Sequence, residues 1–420
     1  MNHMFRITAA GLALTAALTA SAFAADFTAS ADHLKELGLF RGTDQGYELD
    51  RAPTRAEAAA MLVRLLGKEE EAQKLAYDAP FTDLQSWEKP YVQYLYQNGL
   101  TTGATATAFE PDEACTAQMY GAFVLRALGY TETAGDFTYE KAVDFAKKTG
   151  VYDSMTVNPA HFLRDHVVAA SYTALALSPK GEEGTLLDAL VQDGAVSSDA
   201  AAASDKLMQV YNQYRKATVG MDALQRLAVQ HELTLTTKSM TMKSSETTRL
   251  DLAAPALLTN RVITLSAEGI EDKTFSAESY VANGVQYLKQ NGQKTRKQLT
   301  DAELGQLTEG FARVPLALID HMTVSGSTYT ITYNTAGLNR LGTALDAAAS
   351  AVGSLEDAAF SGLTVQQTAS NGRIAAQELR MQFDADGLTG SLTSSMKLTG
   401  VDGQVTMTAP ADLDSYALIS

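Results

Sequence analysis

The chain has 420 residues, 45% of them apolar, so it can bury large cores and is expected to fold as more than one domain rather than remain disordered. Its 33 basic against 49 acidic side chains give a net charge of -16, and without any run of Lys or Arg a nucleic-acid partner is excluded. The single cysteine, Cys115, can neither close an internal disulfide nor build a zinc cluster by itself, so stability must come from packing.

Arg6 precedes the apolar, small-residue stretch Ile7 to Phe23, and Ala22-Phe23-Ala24 offers the small residues a signal peptidase reads. Residues 1–24 are therefore expected to be a signal peptide, cleaved after Ala24 or Ala25, and the mature protein to be exported. The stretch is short and rich in Thr and Ser for a membrane anchor, and no later segment offers the roughly 18 consecutive apolar residues of a span. With no cysteine at the cleavage site, a lipid anchor is excluded. Attachment to a cell surface would have to be non-covalent.

Residues 26 to about 200 contain a repeat. Thr54-Arg55-Ala56-Glu57 opens a run reading AEAAAMLVRLLG; further on Thr116 opens TAQMYGAFVLRALG, with Arg64 matching Arg126 and Gly67 matching Gly129. Both runs place apolar residues at helical spacing and end on glycine, which predicts amphipathic helices with C-terminal stops. Before the second run lie Phe81-Thr82-Asp83, Trp87, a helical YVQYLYQNG ending at Gly99, and Phe109-Glu110-Pro111. A third copy has a helix from Tyr139 to Lys148 stopped at Gly150, the loop Asn158-Pro159, and a second helix opened by Leu163-Arg164-Asp165-His166. Each unit reads helix, loop, helix.

These motifs resemble the S-layer homology repeat: FxD, then Trp, a helix ending in Gly, FxP, and TRAE before an LVRLLG-like helix. The resemblance covers residues 27 to 178, with repeats at 26–68, 81–130 and, degenerate, 137–178. It implies an all-α three-repeat bundle that binds secondary cell-wall polysaccharide, often through a pyruvylated sugar, and so a protein secreted to the cell wall. The residues it points to are Thr54, Arg55, Glu57, Trp87 and Arg164.

The residues themselves carry part of that argument. Thr54 and Glu57 stand at N-cap and N3 of the first helix, a reciprocal capping box worth on the order of 1 kcal/mol that needs no ligand. Arg55 is a cation in a first helical turn, where it opposes the helix dipole, and asks for an anion: a neighbouring carboxylate or an acidic ligand. For a carboxylate-bearing sugar, guanidinium offers a bidentate contact and the free N-terminal amides add donors. The second copy has Ala117 and Met119 where the first has Arg55 and Glu57, so it is expected to bind poorly. The third keeps Arg164 but carries Leu163 and His166. Trp87, the only tryptophan, is expected to fill the core, with stacking on a sugar as the alternative.

Residues 180–206, a short helix stopped at Gly194 and an Ala/Ser/Asp stretch, are expected to be a linker. A helical segment interrupted at Gly220 then leads into a second domain, 207–420. From His231 the pattern alternates: Leu233 and Leu235, Met240 and Met242, Tyr329, Ile331 and Tyr333, Leu379, Met381 and Phe383, Val405 and Met407. Asn283-Gly284, Asn291-Gly292, Asn371-Gly372, Asp386-Gly387 and Asp402-Gly403 fall between such runs, as tight hairpins require. Helical inserts are expected at 301–311 and 336–352. The result is an α+β domain with a long antiparallel sheet. Its order of elements resembles the LolA/LppX-type lipoprotein-carrier fold, a curved half-barrel whose concave face can hold acyl chains. That resemblance implies a hydrophobic ligand; alternatively the apolar face packs on the inserted helices.

No HExxH, GxSxG, P-loop or dinucleotide fingerprint occurs, and His161 and His166 have no metal spacing. Ser394-x-x-Lys397 falls in a predicted strand, which sends the two side chains to opposite faces, and Asp384-x-Asp386-Gly387 lacks the later ligands of a calcium loop. Neither a cofactor nor catalysis is expected. The expectation is a wall-anchored exported protein presenting a β-rich domain; the competing one is an extracellular lipid-binding protein that keeps the repeats as a scaffold.

Overall fold

The computed structural model describes residues 27–254, 256–300, 313–338, 359–385 and 388–419. The expected signal peptide at 1–24, the insert at 301–311, all but the start of the insert at 336–352, and the Asp386-Gly387 turn lie outside the described residues.

Helices build the first half: α1 (Thr28–Glu36), α2 (Arg55–Leu65), the single turn α3 (Glu69–Ala72), α4 (Lys89–Gln97), α5 (Ala117–Ala127), α6 (Ala142–Thr149), α7 (Arg164–Leu175), α8 (Leu186–Gln192) and α9 (Ser198–Ala217). Helices α2, α5 and α7 pack on one another and are buried on nearly every side, as befits the centre of a domain.

The loop before one helix closes the start of another. Arg55 N and Ala56 N, at the start of α2, donate to Glu113 O at 2.9 Å and Pro111 O at 3.1 Å. Arg164 N and Asp165 N, at the start of α7, donate in the same way to Arg51 O at 2.9 Å and Leu49 O at 3.0 Å. The two loops share a turn, with Glu48 at φ 50° and Glu110 at φ 57°. First-turn amides that a helix leaves without partners are thus satisfied from a neighbouring unit.

The segment expected to be a linker is helical. Residues 186–192 form α8, and the Ala/Ser/Asp stretch is the first half of the 20-residue α9, capped by Ser197 Oγ on Ala200 N at 3.2 Å. Alanine favours helix once a cap is present and a face can be buried, and Ala201, Ser204 and Met208 are buried. Helix α9 fastens the halves together. Buried Tyr214 donates to Gln367 Oε1, accepts from Val314 N at 3.3 Å and meets Tyr329 edge-on at 5.1 Å. The turn Leu316–Leu318 packs on α7. One apolar core accordingly runs from Phe27 to Leu392.

Helix α9 also supplies what α7 lacks. The tenth residue of α2 and of α5 is an arginine, Arg64 and Arg126, whereas α7 has Thr173 there. Arg126 Nη1 closes the end of α4 on Leu100 O at 2.9 Å. At the end of α6 that job falls to Arg215 of α9, whose Nη2 donates to Thr149 O at 2.8 Å. Gly150 permits it: φ is 82°, and an added Cβ would stand 1.4 Å from Arg215 Nη1.

The strands are β1 (Arg226–Thr237), β2 (Met240–Asp251), β3 (Ala256–Ala267), β4 (Ile270–Ala282), β5 (Val285–Gln290), β6 (Gln293–Gln298), β7 (Ile319–Ser325), β8 (Thr328–Tyr333), β9 (Ala359–Ser370), β10 (Arg373–Ala385), β11 (Leu388–Val401) and β12 (Ala417–Leu418). They form one open, curved sheet in the order β12-β6-β5-β4-β3-β2-β1-β11-β10-β9-β8-β7, antiparallel except where β12 meets β6. Asn283-Gly284, Asn291-Gly292 and Asn371-Gly372 have positive φ at both residues, the backbone of a two-residue hairpin. Two expectations fail nearby. Asp402-Gly403 lies in the short turn Asp402–Gln404, its carboxylate accepting from Gln225 N at 2.9 Å and Arg226 N at 3.2 Å, so it ties chain ends rather than reversing a strand. Val405 and Met407 lie in irregular chain, although Val405 is buried.

A polar row crosses the sheet's buried face. His231 Nε2 meets Ser394 Oγ at 2.7 Å, and Glu246 pairs with Arg261 on the adjacent strand, all four residues being buried. Burial lowers the His231 pKa, so the ring stays neutral. Ser394 is buried and Lys397 exposed, as strand alternation requires.

Candidate functional site

Arg55 is only 5% exposed. Its Nε donates to Phe109 O at 2.7 Å, Nη1 lies 3.2 Å from Met119 Sδ, and the guanidinium carbon stands 4.8 Å from the centre of the Phe109 ring. None of these neighbours is an anion, and Arg55 forms no ion pair with a carboxylate among the described residues. A guanidinium withdrawn from water without a directly paired carboxylate is costly to maintain.

Arg164 occupies the same place at the start of α7. Its Nε donates to Tyr47 O at 3.0 Å, and Met61 Sδ lies 3.9 Å from Nη1. There the likeness ends, because Glu57 Oε2 lies 3.7 Å from Nη1. Met119 and Glu57 are both the third residue of the facing helix. That single difference leaves one guanidinium without a carboxylate and neutralises the other. The Arg164 groove, expected as a second acidic-sugar site, is therefore closed by an internal ion pair.

Glu57 is heavily engaged. Thr54 Oγ1 accepts from Glu57 N at 3.2 Å and Glu57 Oε2 accepts from Thr54 N at 2.9 Å, which is the expected capping box. Arg51 grips both carboxylate oxygens at 2.6 and 2.8 Å. Burial alone would raise its pKa, but Arg51, the Thr54 amide and Arg164 together hold it below the usual range. The N-terminal amides of α2 expected to be free for a ligand are used up by Glu113, Pro111 and Thr54; only the side chain of Arg55 can address one.

The groove has partners that sequence reasoning did not select. Asp83, exposed, accepts from Phe109 N at 3.0 Å through each oxygen and from Glu110 N at 2.8 Å, fixing the loop whose carbonyl holds Arg55. Against the effect of burial, those amides and then Arg55 keep its pKa low. Tyr139, 37% exposed, lies within the electrostatic reach of Arg55. The Phe81-Thr82-Asp83 and Phe109-Glu110-Pro111 motifs were the available signals; nothing local marks Tyr139. Trp87 is not a core residue: it is 47% exposed and meets Tyr91 edge-on at 6.4 Å. Tyr91, the ring it meets, is itself part of the core.

At the start of α5 the corresponding space is filled. Ala117 replaces the arginine, its carbonyl accepts from Tyr152 Oη at 2.7 Å, and the Tyr152 ring lies against Gly121. In α7, His166 Nδ1 accepts from Leu163 N at 2.9 Å, half of a capping box. Cys115 is buried and its thiol pushed up to about 12, chiefly by desolvation. Among the described residues no group of His, Cys, Asp or Glu is suited to a metal ion, and no helix is long and apolar enough to cross a membrane.

The S-layer homology domain model matches residues 80–116, from before Phe81 through Asp83, Trp87 and Phe109 to the Thr116 cap. The chain carries an S-layer homology domain. Three curated proteins share sequence with it. The "Middle cell wall protein" of Brevibacillus brevis is 28% identical over 144 residues, 34% of this chain and 14% of that protein. The "Surface layer protein" of Brevibacillus choshinensis is 30% identical over 138 residues, 30% of this chain and 12% of that one. An "Endoglucanase" of a Bacillus species is 37% identical over 79 residues, 19% of this chain and only 8% of that enzyme. The matched part is thus a small fraction of each relative's length.

Proposed function

We propose that the helical half is a non-covalent anchor to the cell wall, built of three S-layer homology repeats, and that the Arg55 groove grips an acidic saccharide of secondary cell-wall polysaccharide. The domain match and the wall and surface-layer relatives put the chain outside the cell, at its surface. The observation that carries the finer reading is Arg55 itself: a buried guanidinium, oriented by Phe109 O, without a carboxylate among the described residues. A sugar carboxylate, such as that of a pyruvyl ketal, supplies the missing charge through a contact worth about 1.5–3 kcal/mol. Asp83 and Glu57 shape the loop and helix that present Arg55, and exposed Trp87 offers a ring face for stacking on sugar. With the other two grooves closed by Glu57 and by Tyr152, one site does the gripping.

The sheet's role as holder of an apolar ligand has less behind it, since a buried ion pair and a His-Ser pair interrupt its inner face. The test of anchoring uses the full chain and purified wall sacculi. Retention should fall at least tenfold in Arg55→Ala, survive in Arg164→Ala, and weaken with salt. Undiminished retention of Arg55→Ala refutes the groove.

A further inference from the structure

The sulfur of Met119 stands 3.2 Å from Arg55 Nη1. A thioether is a weak acceptor, and so a poor partner for a guanidinium that is 5% exposed. Met119 is the third residue of α5 and packs only partly buried against the core. Met61, whose sulfur lies 3.9 Å from Arg164 Nη1, is 5% exposed. Of the two sulfurs beside these arginines, the one at Arg55 thus belongs to the residue more open to a dissolved oxidant.

The start of α7 shows what an oxygen does in this place. Glu57, the third residue of α2 as Met119 is of α5, brings a carboxylate oxygen to 3.7 Å from Arg164 Nη1. The third residue of the facing helix is therefore a seat from which an oxygen can meet the guanidinium. Methionine acquires such an oxygen by reaction with a peroxide. A sulfur lone pair attacks one peroxide oxygen, the O–O bond breaks as the S–O bond forms, and the departing hydroxide takes the proton of the transferred oxygen and leaves as water. Sulfur is oxidised by two electrons and the peroxide reduced by two. The sulfoxide is polar, and reductases reverse it. Its oxygen carries the negative end of the S–O dipole, which makes it a better acceptor for a cation than the thioether.

We infer that Met119 is an oxidation site and that its sulfoxide shuts the Arg55 groove. The new oxygen pairs with Arg55 Nη1 as Glu57 pairs with Arg164, and an acidic sugar must then compete with an internal acceptor. The oxidant is a hydroperoxide in the medium. The effect on wall retention rests on the Arg55 groove as the gripping site, whereas the pairing is a property of the chain alone.

Treating the full chain with hydrogen peroxide, and following Met119 by peptide mass mapping, tests the inference. Retention on sacculi should fall about fivefold as sulfoxide accumulates at Met119, and methionine sulfoxide reductase should restore it. Met119→Leu, whatever its untreated retention, should lose none to peroxide. The inference is overturned if Met119 stays reduced while the partly exposed Met155 and Met407 oxidise, or if Met119→Leu loses as much retention as the unaltered chain. It is overturned also if retention holds with Met119 oxidised in a chain whose Arg55→Ala variant does lose retention. The pairing is read without sacculi, from unfolding temperature. Oxidation should lower it less with Arg55 present than in Arg55→Ala, each compared with Met119→Leu in the same background; Arg55→Gln serves if Arg55→Ala does not fold. Equal shifts refute the pairing. Unequal shifts, with Arg55→Ala fully retained on sacculi, uphold the pairing and refute the gripping role of the groove instead.

Discussion

Arg55 and Arg164 begin helices of equivalent place, donate to equivalent loop carbonyls and lie beside methionine sulfur, yet they face Met119 and Glu57 respectively. A guanidinium without a paired carboxylate and one with it thus differ by a residue on another helix, far away in sequence. Charge at a groove is a property of the facing pair, and a motif that specifies one member leaves the outcome open. The starts of α2, α5 and α7 are accordingly not equivalent. That of α5 has alanine in place of arginine and fills with Tyr152, that of α7 pairs Arg164 with Glu57, and that of α2 holds Arg55 without a paired carboxylate among the described residues.

The comparison can be broken from either side. The largest effect is expected from Arg164→Ala, which removes a buried, packed guanidinium side chain together with its bond to Tyr47 O and should cost about 3 kcal/mol in urea unfolding; sacculus retention should stay within twofold. Met119→Glu installs in the first groove what Glu57 provides in the other. It should cut retention by roughly thirtyfold, about 2 kcal/mol, without loss of folding stability, because the wall sugar then competes with an internal carboxylate. A variant that still binds fully would show that the facing residue does not decide. Trp87→Ala should cost about 1 kcal/mol of binding, near fivefold, with the unfolding midpoint unchanged; a large stability loss would return Trp87 to the core.

The smallest effect is the acid limb. The Glu57 and Asp83 carboxyls lie below their usual range in the folded state. The stability they contribute is complete above the unfolded carboxylate pKa, about 4.3, and is lost as pH falls through the folded values. Unfolding temperature should hold from pH 7 to about 5 and then drop, and Glu57→Gln should flatten that drop.

Much of the fold was legible because its signals are local. Glycine stops at Gly67, Gly99, Gly129 and Gly150, the Thr54 and Glu57 box, and the Asn-Gly hairpins each depend on a few neighbouring residues. Expectations failed where a longer range decided. The Ala/Ser/Asp stretch after Gly194 is polar enough for a linker, but Ser197 caps it and Ala201 joins the core, so it is helix. Trp87 looked like core because a large ring gains most from burial, yet it stands 47% exposed against Tyr91. The groove was half legible: TRAE pointed to Arg55, whereas Asp83 and Tyr139 join it only through the loop geometry.

By itself the sequence determined where helices begin and stop and where strands alternate, since backbone preference and burial periodicity act over a few residues. Tertiary structure decided which arginine keeps an unmatched charge, which groove is filled, and that Arg215 replaces the arginine that α7 lacks. Those outcomes depend on what stands opposite each side chain, and electrostatics and packing act through space, between residues the chain order does not place together.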